Sequence, residues 1–182
     1  MPILFHNGQL ADPLCEWTKR LKLITDKRKK TEEDYLEMAH LEWFGGMYTK
    51  NKKPCIPGYV MEGALVSGAK KKRMGTQAKS GIFVDKDSLL EFDGWESLTL
   101  DDLWENKDFR LTQGVKIQKA RIMRTRPKFD EWAVEFVITY DAEVLSEPDV
   151  KDIVETTGHH CGLCDWRPRY GRFRVESCVS LD

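Results

Sequence analysis

Trp132-Ala133-Val134-Glu135-Phe136-Val137-Ile138-Thr139-Tyr140 alternates as a half-buried strand does, with Trp132, Val134, Phe136, Ile138 and Tyr140 on one face. Before it, Val115 to Arg126 reads as a long strand, and Pro127 to Asp130 as the turn that joins the two into a hairpin. After it, Glu147 to Thr157 predicts a helix with Pro148 and Asp149 in its first turn and Gly158 as its stop. A polar loop, His159 to Gly171, leads to Phe173, Val175, Ser177 and Val179, which alternate as a final strand. Strand, strand, helix, strand is the second half of a ferredoxin-like arrangement. The expected class is therefore α+β, an antiparallel sheet with helices on one face.

The upstream sequence fits this frame. Met1 to Phe5 reads as a short strand. Asp12-Pro13 opens a helix with Leu14, Trp17, Leu21 and Ile24 as its buried stripe. Thr31-Glu32-Glu33-Asp34 resembles a capping box for a second helix, with Tyr35, Met38, Ala39 and Glu42 on one face and an end at Gly45-Gly46. Lys50 to Pro54 is a turn between strands, and Pro57-Gly58 begins a third helix through Val60, Met61, Ala64, Leu65, Gly68 and Ala69. Lys70 to Gly81 is basic and weakly periodic, which predicts a flexible loop. Gly81 to Val84 reads as a strand, and a short helix is expected near Leu100–Trp104.

A chain of 182 residues suits one domain with a core of its own. Residues 1–182 are read as that domain, with 70–81 as its basic loop and 85–110 as an acidic insertion. Hydrophobic residues at 41% and charged residues at 32% argue against disorder. There is no apolar run of roughly 18 residues to span a membrane and no secretory leader, so the expected location is the cytoplasm. The five cysteines, Cys15, Cys55, Cys161, Cys164 and Cys178, read as reduced thiols.

The net charge of −1 hides a segregation. Acids crowd Asp85 to Asp108, while bases crowd Lys27–Lys30, Lys70–Arg73, Lys116–Lys128 and Arg167–Arg174. A near-neutral chain can thus carry one positive face.

Two segments carry candidate chemistry. Pro57-Gly58 opening a helix presents backbone N–H groups and a positive dipole end to an anion. Gly162-Leu163-Cys164-Asp165-Trp166-Arg167-Pro168-Arg169-Tyr170-Gly171-Arg172-Phe173 packs arginines, aromatics and glycines into one loop. Arginine pairs phosphate, aromatics stack on bases and glycine admits a backbone. The same residues also fit a plainer role, with Trp166 and Tyr170 plugging the core edge and the arginines neutralising carboxylates. The candidate nucleic-acid contacts are Lys70, Lys71, Lys72, Arg73, Lys79, Arg124, Arg126, Trp166, Arg167, Arg169, Tyr170 and Arg172. His159-His160-Cys161-x-x-Cys164 has zinc-ligand residue types, but adjacent histidines point apart and no second pair exists, so free thiols are expected and no metal or cofactor is assigned. His6, His159 and His160 are the candidates for acid–base work on RNA; His40 reads as structural. No Walker loop or GxGxxG is present.

Ile56-Pro57-Gly58-x-x-x-Glu62-Gly63-Ala64-Leu65 together with Arg169-Tyr170-Gly171-Arg172-Phe173 resembles the RAMP superfamily, the RRM-like subunits that hold guide RNA in CRISPR effector complexes. Asp165 to Phe173 is similar to the ending of small stand-alone bacteriophage proteins of this type. Glu62 stands where the superfamily often has a basic residue. The resemblance implies an RRM-like fold and nucleic-acid binding. The expected function is non-catalytic binding of a single-stranded RNA or DNA backbone, with self-association along the strand and a monomer with a mobile basic loop as the two alternatives. The resemblance leaves open an interaction protein that mimics or inhibits a host defence complex, and an RNA-processing nuclease using His6 or His159/His160.

Overall fold

The computed structural model describes residues 1–117 and 120–181. In chain order they form β1 (Ile3–Leu4), α1 (Glu16–Thr25), α2 (Glu32–Gly46), β2 (Thr49–Lys50), β3 (Lys53–Ile56), α3 (Gly58–Lys71), α4 (Gly75–Gly81), β4 (Ile82–Phe83), β5 (Ser88–Leu89), α5 (Leu100–Glu105), β6 (Arg110–Ile117), β7 (Ala120–Phe129), β8 (Thr139–Tyr140) and α6 (Glu147–Thr156). The class is α+β, with small antiparallel sheets ordered β1-β7-β6, β2-β3-β5 and β4-β8. Among the described residues, no helix is long and apolar enough to cross a membrane.

The helix starts follow one device. Thr31 with Asp34, Thr99 with Asp102 and Ser146 with Asp149 each close a reciprocal capping box on α2, α5 and α6. Each satisfies two backbone donors that the helix leaves open. The first helix starts later than Asp12-Pro13 predicts. Asp12 accepts from Leu14 N at 2.8 Å in a separate turn, α1 begins at Glu16, and Leu14 is exposed rather than buried. On α2, Leu41, Glu42 and Trp43 are buried while Tyr35 stands in solvent, so the expected face is rotated.

α3 starts at Pro57-Gly58 and buries Met61, Ala64, Leu65, Gly68 and Ala69, as its spacing predicts. Gly68 is needed there: a Cβ would sit 2.0 Å from Thr157 Oγ1, just past the end of α6. Phe5, Phe92 and Phe129 stack into the core beneath β1, with Phe129 centroids 5.3 and 4.9 Å from the other two.

Four expectations are corrected. Residues 70–81 are not a loop: α3 runs to Lys71 and α4 follows, buried through Ala78 with Met74 packed on the core. Only these two apolar side chains mark the period, too few for a pattern. The acidic stretch 85–110 is built into the core, through Leu90, Phe92 and Leu103, and its strand β5 pairs with β3. Val115 to Arg126 is not one strand. β6 and β7 pair from Arg110 opposite Pro127 to Ile117 opposite Ala120. Gln118 and Lys119, which the expected strand included, lie outside the described residues.

The fourth correction concerns the strands that frame α6. Trp132 to Tyr140 alternates between half-buried and exposed at every residue, as expected. Yet among the described residues only Ala133, bridged to Glu91, and β8 take ladder bonds. Phe173 to Val179 forms no ladder either, although Phe173 and Val175 pack on the core. Alternation records which side chains are covered, and it does so here without a continuous backbone partner.

Candidate nucleic-acid interface

The loop after α6 is laid along the edge of β1 that β7 leaves free. Asp165 N donates to Leu4 O at 2.9 Å, Gly171 N to Pro2 O at 2.7 Å, and Leu163 N to Gly171 O at 2.9 Å. Gly162 and Gly171 both hold φ of +74°, and a Cβ on Gly171 would lie 2.0 Å from Leu163 O. Only glycine fits that turn. The loop is therefore fixed to the sheet by its own backbone, which frees its side chains for other work.

Opposite the loop runs α3. At 3.6 residues per turn, Tyr59, Gly63, Ser67 and Lys70 fall within a sector of about 80°. Tyr59 is 65% exposed and Gly63 has open space at its missing Cβ. Two adjoining hollows separate helix and loop. One, of about 290 Å³, is lined by His6, Tyr48, Tyr59 and Gly63 together with Cys164, Asp165 and Arg167. The other, of about 460 Å³, is lined by Ser67, His160, Cys161, Trp166 and Pro168 and shares Cys164, Asp165 and Arg167 with the first. Joined, they make a shallow groove along α3 from Tyr59 to Ser67.

The candidate residues divide. Arg167 and Arg169 are exposed on the loop, and Trp166 and Tyr170 are half-buried with ring centroids 6.0 Å apart. Lys70, Lys71, Arg73 and Lys79 are exposed around the end of α3 and on α4. Lys72 is held by Asp152 of α6 at 2.9 Å. Arg172 Nε meets Met1 Sδ at 3.0 Å. Arg124 and Arg126 each stand in an ion pair within the chain. Arg124 bonds Glu42, a buried carboxylate that also accepts from Thr125 N at 2.8 Å. Arg126 Nε donates to Asp165 Oδ2 at 3.1 Å and so ties the loop to β7.

The helix start at Pro57-Gly58 is corrected as an anion site. Gly58 N donates to Asp87 Oδ1 at 3.0 Å, and a Cβ there would meet Val84 O at 2.0 Å. A carboxylate of the same chain already occupies that dipole end. Glu62, at the position where the resembled family is often basic, turns away to accept from Val84 N at 3.3 Å.

His6 lies at the end of β1, in the wall of the smaller hollow. Its carbonyl accepts from Tyr48 Oη at 2.9 Å, and its Nδ1 is buried, with no hydrogen-bond partner among the described residues. Burial, and then the neighbouring Arg126 guanidinium, hold its pKa below the usual 6.5, partly opposed by Asp165. The unfolded chain thus binds this proton more readily than the folded one. His6 contributes stability above pH 6.5 that is lost as pH falls from there through its lowered folded value. Urea midpoints measured at pH 7.5 and pH 5 are expected to differ less in His6→Asn than in the parent. An equal drop in both proteins would contradict this, since the carboxylates are common to the two.

His159 and His160 are exposed, with ring centroids 6.3 Å apart, whereas Cys161 is buried. Burial pushes the Cys164 thiol well up, which keeps it protonated and unreactive. Among the described residues no three His, Cys, Asp or Glu side chains converge to hold a metal ion.

Sequence reasoning missed the α3 wall of the groove. Tyr59, Gly63, Ser67 and Lys70 do recur at helical spacing, but a stripe of one aromatic, two small residues and a cation has no hydrophobic period to draw the eye. It also missed that Asp165 would face the groove. Compared with protein-family models, curated proteins and solved structures, the chain matches none.

Proposed function

We propose that this protein binds single-stranded nucleic acid, without cutting it, in the groove between α3 and the loop 162–173. The observation that carries the reading is the pairing of an exposed tyrosine and a bare glycine on α3 with exposed arginines and a Trp–Tyr pair on the facing loop. Cations there meet phosphate, and the aromatic faces stack on bases whatever their sequence. Gly63 lets a sugar–phosphate backbone lie against the helix. From Tyr59 to Ser67 the helix offers about 12 Å of wall. The reading also takes the chain as a RAMP-like protein of phage type on a ferredoxin-like, RRM-like frame. It is supported by the motif at Asp165–Phe173 and by the antiparallel β1-β7-β6 order.

Arg167→Ala combined with Arg169→Ala tests it. Released counterions make affinity fall with salt at about 0.7 log unit per phosphate contact on a single strand. The double variant is expected to weaken binding to all sequences alike and to flatten that slope by about 1.4. An unchanged slope would remove the loop from the interface.

A second reading, RNA cleavage, rests on one observation: His6 and His160 line the two hollows that share Asp165 and Arg167. It requires cut products that vanish in His6→Ala or His160→Ala.

A further inference from the structure

Phosphate binding does not account for Asp165. Asp165 lines both hollows beside Arg167, and its side chain is 26% exposed. A carboxylate facing a polyanion repels it. Oδ2 is taken by Arg126, while Oδ1 receives no hydrogen bond among the described residues. Behind it, His6 Nδ1 is buried, with no hydrogen-bond partner among the described residues. The smaller hollow thus offers open carboxylate acceptor capacity on Asp165 beside the donors of Arg167. Its walls are Tyr59, Val60 and the bare Gly63, with room of about 290 Å³.

We infer that this smaller hollow is a base-reading pocket for guanine. Guanine presents two donor groups side by side, N1–H and N2–H2, which match the open Oδ1 of Asp165 and the lone pair that Oδ2 keeps beyond its bond to Arg126. Its O6 accepts, and Arg167 supplies donors on the same wall. The exposed ring of Tyr59 gives the base a stacking face. Adenine and cytosine each place one donor group beside an acceptor, and uracil flanks its single N–H with two acceptors, so each would set an acceptor against Asp165. Unpaired bases splayed from a single strand are read in this way, on their Watson–Crick edges. The inference rests on the proposed binding of a single strand in this groove and adds the base that one step of it selects.

The test compares a labelled oligouridine strand with the same strand carrying one central guanosine, alongside calorimetry of GMP, AMP, CMP and UMP. The guanosine strand is expected to bind about tenfold tighter, the worth of one good bidentate base contact. GMP is expected to bind best of the four. Asp165→Asn should erase the preference. Tyr59→Ala, at an exposed position, should shrink the preference for the guanosine strand even if Asp165→Asn folds poorly. Equal, salt-sensitive binding of both strands would overturn the base pocket and leave the proposed function standing. GMP binding with no strand binding would support the pocket and overturn the function. Binding of neither would overturn both.

Discussion

Gly63→Trp is expected to lower single-strand affinity roughly tenfold or more, about the worth of one base stack, without lowering the melting temperature. The two halves of that result have separate causes. Among the described residues nothing lies within 4 Å of the position a Gly63 Cβ would take, so the first atom of a side chain there leaves the helix without a clash. Gly63 sits inside α3, where glycine costs about 1 kcal/mol relative to alanine, so replacing it removes a penalty. The indole would instead project into the hollow that Tyr59 and Arg167 wall. Gly68, five residues along the same helix, is the contrast: its Cβ would strike Thr157 at once. Thermal melts and anisotropy titrations on one preparation read both effects. A variant that binds normally would show that the strand does not lie on this face of α3.

Glu42→Ala is expected to cost about 3 kcal/mol of unfolding free energy, at the lower end of the range for breaking a buried pair because Arg124 reaches solvent. Glu42 is 3% exposed on α2 and takes two donors from β7, the Arg124 guanidinium and Thr125 N. Alanine would leave Thr125 N–H buried and unpaired, and would detach the strand from the helix behind it. Thr125 is itself buried, its hydroxyl 3.0 Å from that of Thr112 across the hairpin, so it has no water to fall back on. Glu42→Gln, which keeps a neutral acceptor, is expected to cost less. Urea unfolding of the three proteins orders them. A loss below about 1 kcal/mol in Glu42→Ala would place the pair among ordinary surface bridges.

What could be read from the sequence was local. The Thr31–Asp34 capping box and the Pro57-Gly58 helix start need only their own few residues, and both stand where expected. The strict alternation of burial from Trp132 to Tyr140 was legible for the same reason. What failed depended on distant partners. Glu42 and Arg124 are 82 residues apart, and Arg126 and Asp165 are 39 apart, so nothing near either arginine shows that its charge is already spent. Asp87, which closes the start of α3, lies 29 residues beyond Gly58. α4 and the β6–β7 register likewise follow from packing and pairing that no short window contains. The loop 162–173 was legible as a cluster of chemistry, but its place on the edge of β1, and so the existence of a groove facing α3, was not.

The most direct measurement of the central claim is a fluorescence-anisotropy titration of labelled single-stranded RNA, single-stranded DNA and duplex at low and moderate salt. The account predicts binding to a single strand that weakens steeply as salt rises, with less affinity for duplex, whose bases cannot reach the Tyr59 and Trp166 faces. Absence of single-strand binding at low salt would contradict it.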